Sequence, residues 1–221
     1  MTSIIASFDI GKKNFAFIIE EVDLNKLKNI VNIPASKRYN KDGTPTDSFT
    51  KILDDLYMCG KVILIKNLDI TYDCDPSKYF DPHLFINMQN ELDKYTEYWN
   101  KCDAFIVEQQ MSFGRTKNNS MAVKLGQHCQ SYFLINYNNF KTTIEFPAYH
   151  KTQILGAPKC ERKTKPGRKK WAIKKALEIL NMRNDEETLS KVTTKKKQDD
   201  MSDCLLMTIT FSYLYFIDHK I

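Results

Sequence analysis

The feature that most restricts how this chain folds is its first apolar run. Ser3–Ile10 (SIIASFDI) is rich in β-forming residues, yet it carries an acid, Asp9, near its end and is closed by Gly11. Acids are depleted in strands and seldom buried without a partner. Asp9 is therefore either a functional carboxylate delivered by the strand or a strand-end turn residue bonded to local N–H groups. A second run, Asn14–Val22 (NFAFIIEEV), follows at once, so Gly11–Lys13 reads as a hairpin turn. Lys61–Ile70 predicts a third strand, Ala104–Glu108 (AFIVE) a short buried fourth, and Thr142–Phe146 a fifth, closed by Pro147.

Between these runs the apolar spacing turns helical. Leu84, Met88, Leu92, Tyr95 and Trp99 form one stripe over Leu84–Trp99, and Ser120–Leu134 reads as a helix with Ser120 at its N-cap. Lys169–Met182 reads as a basic amphipathic helix with Trp171, Ile173, Ala176, Leu177 and Leu180 inward. Asp199–Phe216, apolar nearly all round after Asp203, reads as a buried helix. Asn32–Asp55 holds Pro34, Pro45 and Asp42-Gly43 and reads as a loop or insertion. The order predicts an α/β fold: a mixed five-stranded sheet flanked by helices on both faces. The length of 221 residues predicts one domain, residues 1–221, with an insertion around residues 32–81.

Charge is concentrated. The net charge is +6, but residues 159–175 hold nine basic residues against the single acid Glu161, a local +8. Lys191, Lys195, Lys196 and Lys197 add +4, which leaves −6 for the rest of the chain. A basic strip on a mildly acidic body points to a polyanion partner, with a solvated helix face as the plainer alternative. The six cysteines form no C-x-x-C pair and read as reduced thiols. The four histidines are dispersed, which argues against a zinc enzyme. The longest apolar run, Cys204–Ile217, has 14 residues and is too short for a membrane span. The first residues lack a signal-peptide pattern, so an intracellular protein is expected.

Four acids stand in unusual places: Asp9, Glu108 at the end of the buried fourth strand, and Asp200 and Asp203, three apart on the last helix. Asp199 with Asp203 would share a face equally well, and Asp199 and Asp200 also suit a helix N-terminus as caps. Brought into one pocket, four carboxylates repel one another unless cations lie among them. Paired divalent ions about 3.5–4 Å apart meet that need and serve phosphodiester hydrolysis, and an all-oxygen ligand set favours Mg²⁺ or Mn²⁺.

The segments SFDIGKKNFAF, FIVEQQ, LGQHCQS, FPAYHK and QDDMSDCLLM, taken in order, resemble the RuvC-type Holliday junction resolvases of the RNase H-like superfamily, above all those of poxviruses and related large DNA viruses. The resemblance covers residues 3–31 and 100–215. It implies an RNase H-like fold and a homodimer formed through the Ser120–Leu134 helix. It also implies Asp9, Glu108, Asp200 and Asp203 as holders of two Mg²⁺ per site, with Mn²⁺ as a substitute. The family pattern selects Asp200 over Asp199 and places Lys151 near the scissile phosphate. In bacterial relatives an aromatic follows the glutamate by three residues. Here Met111 holds that position, and Phe113, two further on, is the candidate for base stacking, with a core or loop aromatic as the plainer reading. Arg115, Lys117, Arg162, Lys163, Lys165, Arg168, Lys169 and Lys170 are the expected DNA-backbone contacts. The implied activity is paired symmetric nicking of four-way DNA junctions in viral recombination or concatemer processing, within the host-cell cytoplasm where viral DNA replicates. Rivals are an RNase H-type nuclease with another substrate and a catalytically inert DNA-binding module. A sugar-kinase-like ATPase is disfavoured by length.

Overall fold

The computed structural model describes residues 1–78, 80–110, 120–137, 141–194 and 197–221. All five expected strands form: β1 (Thr2–Asp9), β2 (Phe15–Asp23), β3 (Gly60–Leu68), β4 (Ala104–Glu108) and β5 (Thr142–Phe146). They make one sheet in the order β3-β2-β1-β4-β5. β1, β2 and β3 run antiparallel as a meander, whereas β4 pairs parallel to β1 and β5 parallel to β4. The carboxyl ends of β1, β4 and β5 therefore share one end of the sheet.

Strand alternation divides the core into two layers. Ile5, Ile18, Ala104 and Ile106 face one side, where α1 (Leu24–Lys28), α2 (Asp47–Tyr57), α8 (Lys165–Met182), α9 (Glu186–Thr194) and α10 (Gln198–Ser212) pack. Ala6, Phe8, Phe17, Phe105 and Val107 face the other, against α3 (His83–Asp93), α4 (Thr96–Trp99) and α5 (Ser120–Tyr137). This second layer is aromatic: Phe105 stacks on Phe133 at 4.0 Å between ring centroids, and Trp99 meets Phe8, Phe17 and Phe133. The Trp99 indole N–H donates to the Leu92 carbonyl at 2.7 Å, so its one polar atom is satisfied inside the core.

Three expectations need correction. The Asn32–Asp55 loop contains α2, which starts where the Thr46 side chain accepts from the Phe49 N–H. Its buried Phe49, Ile52, Leu53 and Leu56 recur at helical spacing, and they dock on the sheet. The Leu84–Trp99 helix is two pieces, because Tyr95 leaves helical geometry (φ −111°) and sets its ring edge-on to Phe17 at 5.0 Å. The basic helix begins at Lys165, earlier than expected, with Thr164 accepting from the Gly167 N–H and proline in the first turn. Its buried side is Trp171, Ala172, Ala176, Ile179 and Leu180, with Ile173 and Leu177 only partly covered.

Candidate active site

The site begins with strand parity. Ile5, Ser7 and Asp9 point to the same face of β1, the face on which α10 lies. Ser7 is fully buried, and its hydroxyl donates to the Cys204 carbonyl at 2.7 Å. The Thr208 hydroxyl donates in turn to Ser7 Oγ at 2.8 Å. These bonds pin α10 across β1 and bring Asp203, the neighbour of Cys204, to the strand's end. The parallel register aligns Phe8 with Val107, so the next residues, Asp9 and Glu108, end adjacent strands side by side. Their carboxyls share a hydrogen bond.

Lys151 completes the group. It lies on α6 (Tyr149–Ile154), just beyond β5, and is 6% exposed. Its ammonium is 2.8 Å from Glu108 Oε1 and 3.0 Å from Asp203 Oδ2. The other Glu108 oxygen accepts from Gln110 Nε2 at 3.3 Å. Residues 9, 108, 151 and 203, far apart in the chain, thus meet at the carboxyl ends of β1, β4 and β5, where open α/β sheets form their ligand crevices.

The electrostatics follow from burial and mutual charge. Burial, then repulsion from Glu108 and Asp203, pushes the Asp9 carboxyl well above the usual range. Burial also acts to raise Glu108, but the Lys151 ammonium and the hydrogen bonds from Asp9, Lys151 and Gln110 outweigh it and hold Glu108 low. Asp203 is raised by burial and by Glu108, against the pull of Lys151. Burial would lower Lys151, yet Glu108, Asp203 and Asp9 keep it above the ordinary lysine range. Burial and mutual charge thus favour a shared proton on Asp9 over Glu108, while the three acids favour the charged form of Lys151.

The adjacent acids on α10 differ in their surroundings. Asp199 is ion-paired with Lys169 on α8. Asp200 is half-buried, its Oδ2 is enclosed with no hydrogen-bond partner among the described residues, and burial followed by Asp199 pushes its carboxyl up to about 6. Of the basic strip, which opens with the single turn α7 (Lys159–Arg162), Lys163, Lys165, Arg168 and Lys170 are exposed. Arg162 is half-buried, and the Arg168 guanidinium donates to its carbonyl at 2.8 Å. Lys169 is the link from the strip to the acids. Phe113, Arg115 and Lys117 lie outside the described residues.

The donor chemistry fits a hard divalent cation: carboxylates converge, and one buried carboxylate oxygen of Asp200 has no partner among the described residues. Among the described residues, however, no three His, Cys, Asp or Glu side chains are already closed around a metal position. The cation that Glu108 and Asp203 share here is Lys151. Sequence reasoning passes over Ser7 and Gln110; the signal for Ser7 is its shared strand parity with Asp9, and for Gln110 only its place two residues after Glu108. A separate cleft of about 720 Å³, lined by Leu24, Leu27, Tyr215, Phe216 and their neighbours, adjoins α1. Since Asp23, just before α1, pairs with Thr2, that cleft is at the end of the sheet opposite Asp9.

No family model matches the chain. The uncharacterized protein 170L of Invertebrate iridescent virus 6 is 34% identical over 237 residues, spanning 97% of this chain and 90% of its own length. The uncharacterized protein 97L of Invertebrate iridescent virus 3 is 31% identical over 209 residues, spanning 92% and 96%. Among solved structures, the yeast mitochondrial Holliday junction resolvase has a TM-score of 0.55 at 14% identity, over 99% of this chain and 81% of that one. RuvC of T. thermophilus, in complex with Holliday junction substrate, has a TM-score of 0.51 at 10% identity, over 98% and 97%. The fowlpox virus resolvase, in complex with substrate Holliday junction DNA, has a TM-score of 0.50 at 19% identity, over 96% and 97%. At these identities the likeness shows a shared fold, the mixed sheet with helices on both faces that RuvC-type resolvases have.

Proposed function

This chain belongs to the family of the iridescent-virus proteins 170L and 97L, and from that premise and its RuvC-type fold we propose that it is a structure-specific DNA endonuclease that resolves four-way junctions. The observation that carries the reading is the meeting of Asp9, Glu108 and Asp203 around the Lys151 ammonium at the carboxyl ends of β1 and β4. Asp9, Glu108, Asp203 and Asp200 are the residues that would hold two Mg²⁺ ions, or Mn²⁺ in their place. When bound, these ions supply activation of water and stabilisation of the leaving oxygen.

The protein's own groups do the remaining work. Gln110 orients Glu108 through its Oε2, and Lys151 supplies a positive charge for the scissile phosphate. The exposed cations Lys163, Lys165, Arg168 and Lys170 grip the DNA backbone, and Lys169 joins that strip to the acids through Asp199. In a homodimer built on α5, two such sites would address opposite strands of a roughly two-fold junction. Leu125, Gly126, Cys129, Tyr132 and Phe133 of α5 face its own sheet, whereas Leu134 and Ile135 point outward, Ile135 being 80% exposed. Among the described residues no helix is long and apolar enough to cross a membrane. The viral relatives support a reading of action on viral DNA, for which our proposed place is the host-cell cytoplasm.

The test is incubation with a four-way junction, an RNA–DNA hybrid and a linear duplex, each with and without Mg²⁺. The expected result is Mg²⁺-dependent paired nicking of the junction alone, leaving products that DNA ligase seals. Cleavage of the hybrid instead, or unsealable ends, would overturn the resolvase reading. A monomer in sedimentation at micromolar concentration would do the same.

A further inference from the structure

We propose that the Lys151 ammonium is the resident cation of the metal-free site, and that a divalent ion enters by displacing it. The proposal rests on the reading of Asp9, Glu108 and Asp203 as the metal-holding acids. Lys151 does not stand at the pocket mouth, where a lysine meant only for the scissile phosphate would wait. It is 6% exposed and bridges carboxylates from two different elements, Glu108 at 2.8 Å on β4 and Asp203 at 3.0 Å on α10. An ammonium held between carboxylate oxygens engages the same oxygens that would ligate a divalent ion. The two would compete, because a divalent ion would need lone pairs of those oxygens and would repel the ammonium charge beside it. The flexible four-carbon stem lets Nζ swing outward while its backbone stays on α6. Displacement thus converts a charge that stabilises the empty site into one free to meet a phosphate, so metal entry and phosphate capture reinforce each other.

Competition of this kind makes metal binding weaker than the acids alone would allow. In the full-length protein without DNA, titration with Ca²⁺ and with Mg²⁺, followed by thermal shift and calorimetry, compares wild type with Lys151→Met. The metal-free variant is expected to melt below wild type. Its metal midpoint should be at least about tenfold lower, in the ordinary range for coupled ligands. Equal or weaker metal binding in the variant would overturn displacement.

A second measurement uses the wild type alone and does not depend on the variant folding. Lysine acylation read by mass spectrometry should find Lys151 unreactive without metal and several-fold more reactive with Ca²⁺. Protection unchanged by bound Ca²⁺ would also overturn the proposal. If wild type and Asp9→Asn alike bind neither ion, the metal-site reading itself fails, a result distinct from binding without displacement.

Discussion

Replacing Ser7 with alanine tests whether the site is assembled by the polar seam between β1 and α10. The lost hydroxyl donates to the Cys204 carbonyl at 2.7 Å and accepts from Thr208 Oγ1 at 2.8 Å. Each such bond contributes about 1 kcal/mol net. The Thr208 hydroxyl also reaches the Cys204 carbonyl at 3.3 Å, so neither former partner is stranded and no desolvation penalty is added. The expected cost is therefore about 2 kcal/mol, which in a domain of this size lowers Tm by roughly 4–8 °C. Thermal unfolding by circular dichroism measures that, and junction nicking well below Tm measures the site. Nicking should fall by more than the folded fraction, because Asp203 adjoins the carbonyl that Ser7 holds. A variant with Tm within about 1 °C of wild type and undiminished nicking would refute the argument that this seam places the acids.

Other expectations follow from the same geometry. Glu108→Gln and Asp203→Asn should each lower the nicking rate by orders of magnitude while junction binding, read by gel shift, stays near wild type or tightens. Asp200→Asn should reduce nicking more than Asp199→Asn, since Asp199 is committed to Lys169; the reverse order in single-turnover rates would reassign the helix register. Alanine at Arg168, Lys169 and Lys170 should weaken binding to every DNA shape and lessen the slope of log affinity against log salt by up to about 0.9 for each phosphate no longer neutralised. Arg38 hydrogen-bonds Asp218 and holds its carboxyl down to about 2, so this pair contributes stability above the unfolded carboxyl range that is lost as pH falls toward that value. The stability gap between wild type and Asp218→Asn in urea should accordingly shrink between ~pH 5 and ~pH 3, and a constant gap would contradict it.

What the sequence exposed and what it hid have physical causes. The strands were readable because β-branched and aromatic residues crowd into runs bounded by Gly11, Pro147 and polar breaks, and the acids stood out because they interrupt or end those runs. α2 was hidden behind Pro34, Pro45 and Asp42-Gly43, although Thr46 followed by Phe49, Ile52, Leu53 and Leu56 carries both a cap and a stripe. The start of α8 is set by Thr164, its N-cap, and by the proline after Lys165, within a run of cations that carries no apolar stripe. The break at Tyr95 depends on a ring contact with Phe17, which is distant in the chain, and no local pattern encodes it. The same holds for Lys151. The family resemblance pointed to it, but its choice of carboxylates as partners is a property of the assembled pocket.

The spread of the site along the chain has a consequence for safety during synthesis. Asp9, Glu108 and Asp203 come from the first strand, the fourth strand and the last long helix, and that helix also supplies Cys204, Leu205, Leu206 and Met207 to the core. A growing or truncated chain that lacks α10 is missing both one of the converging carboxylates and a wall of its interior. On the proposed function, competence to cut would therefore arrive only with the finished fold.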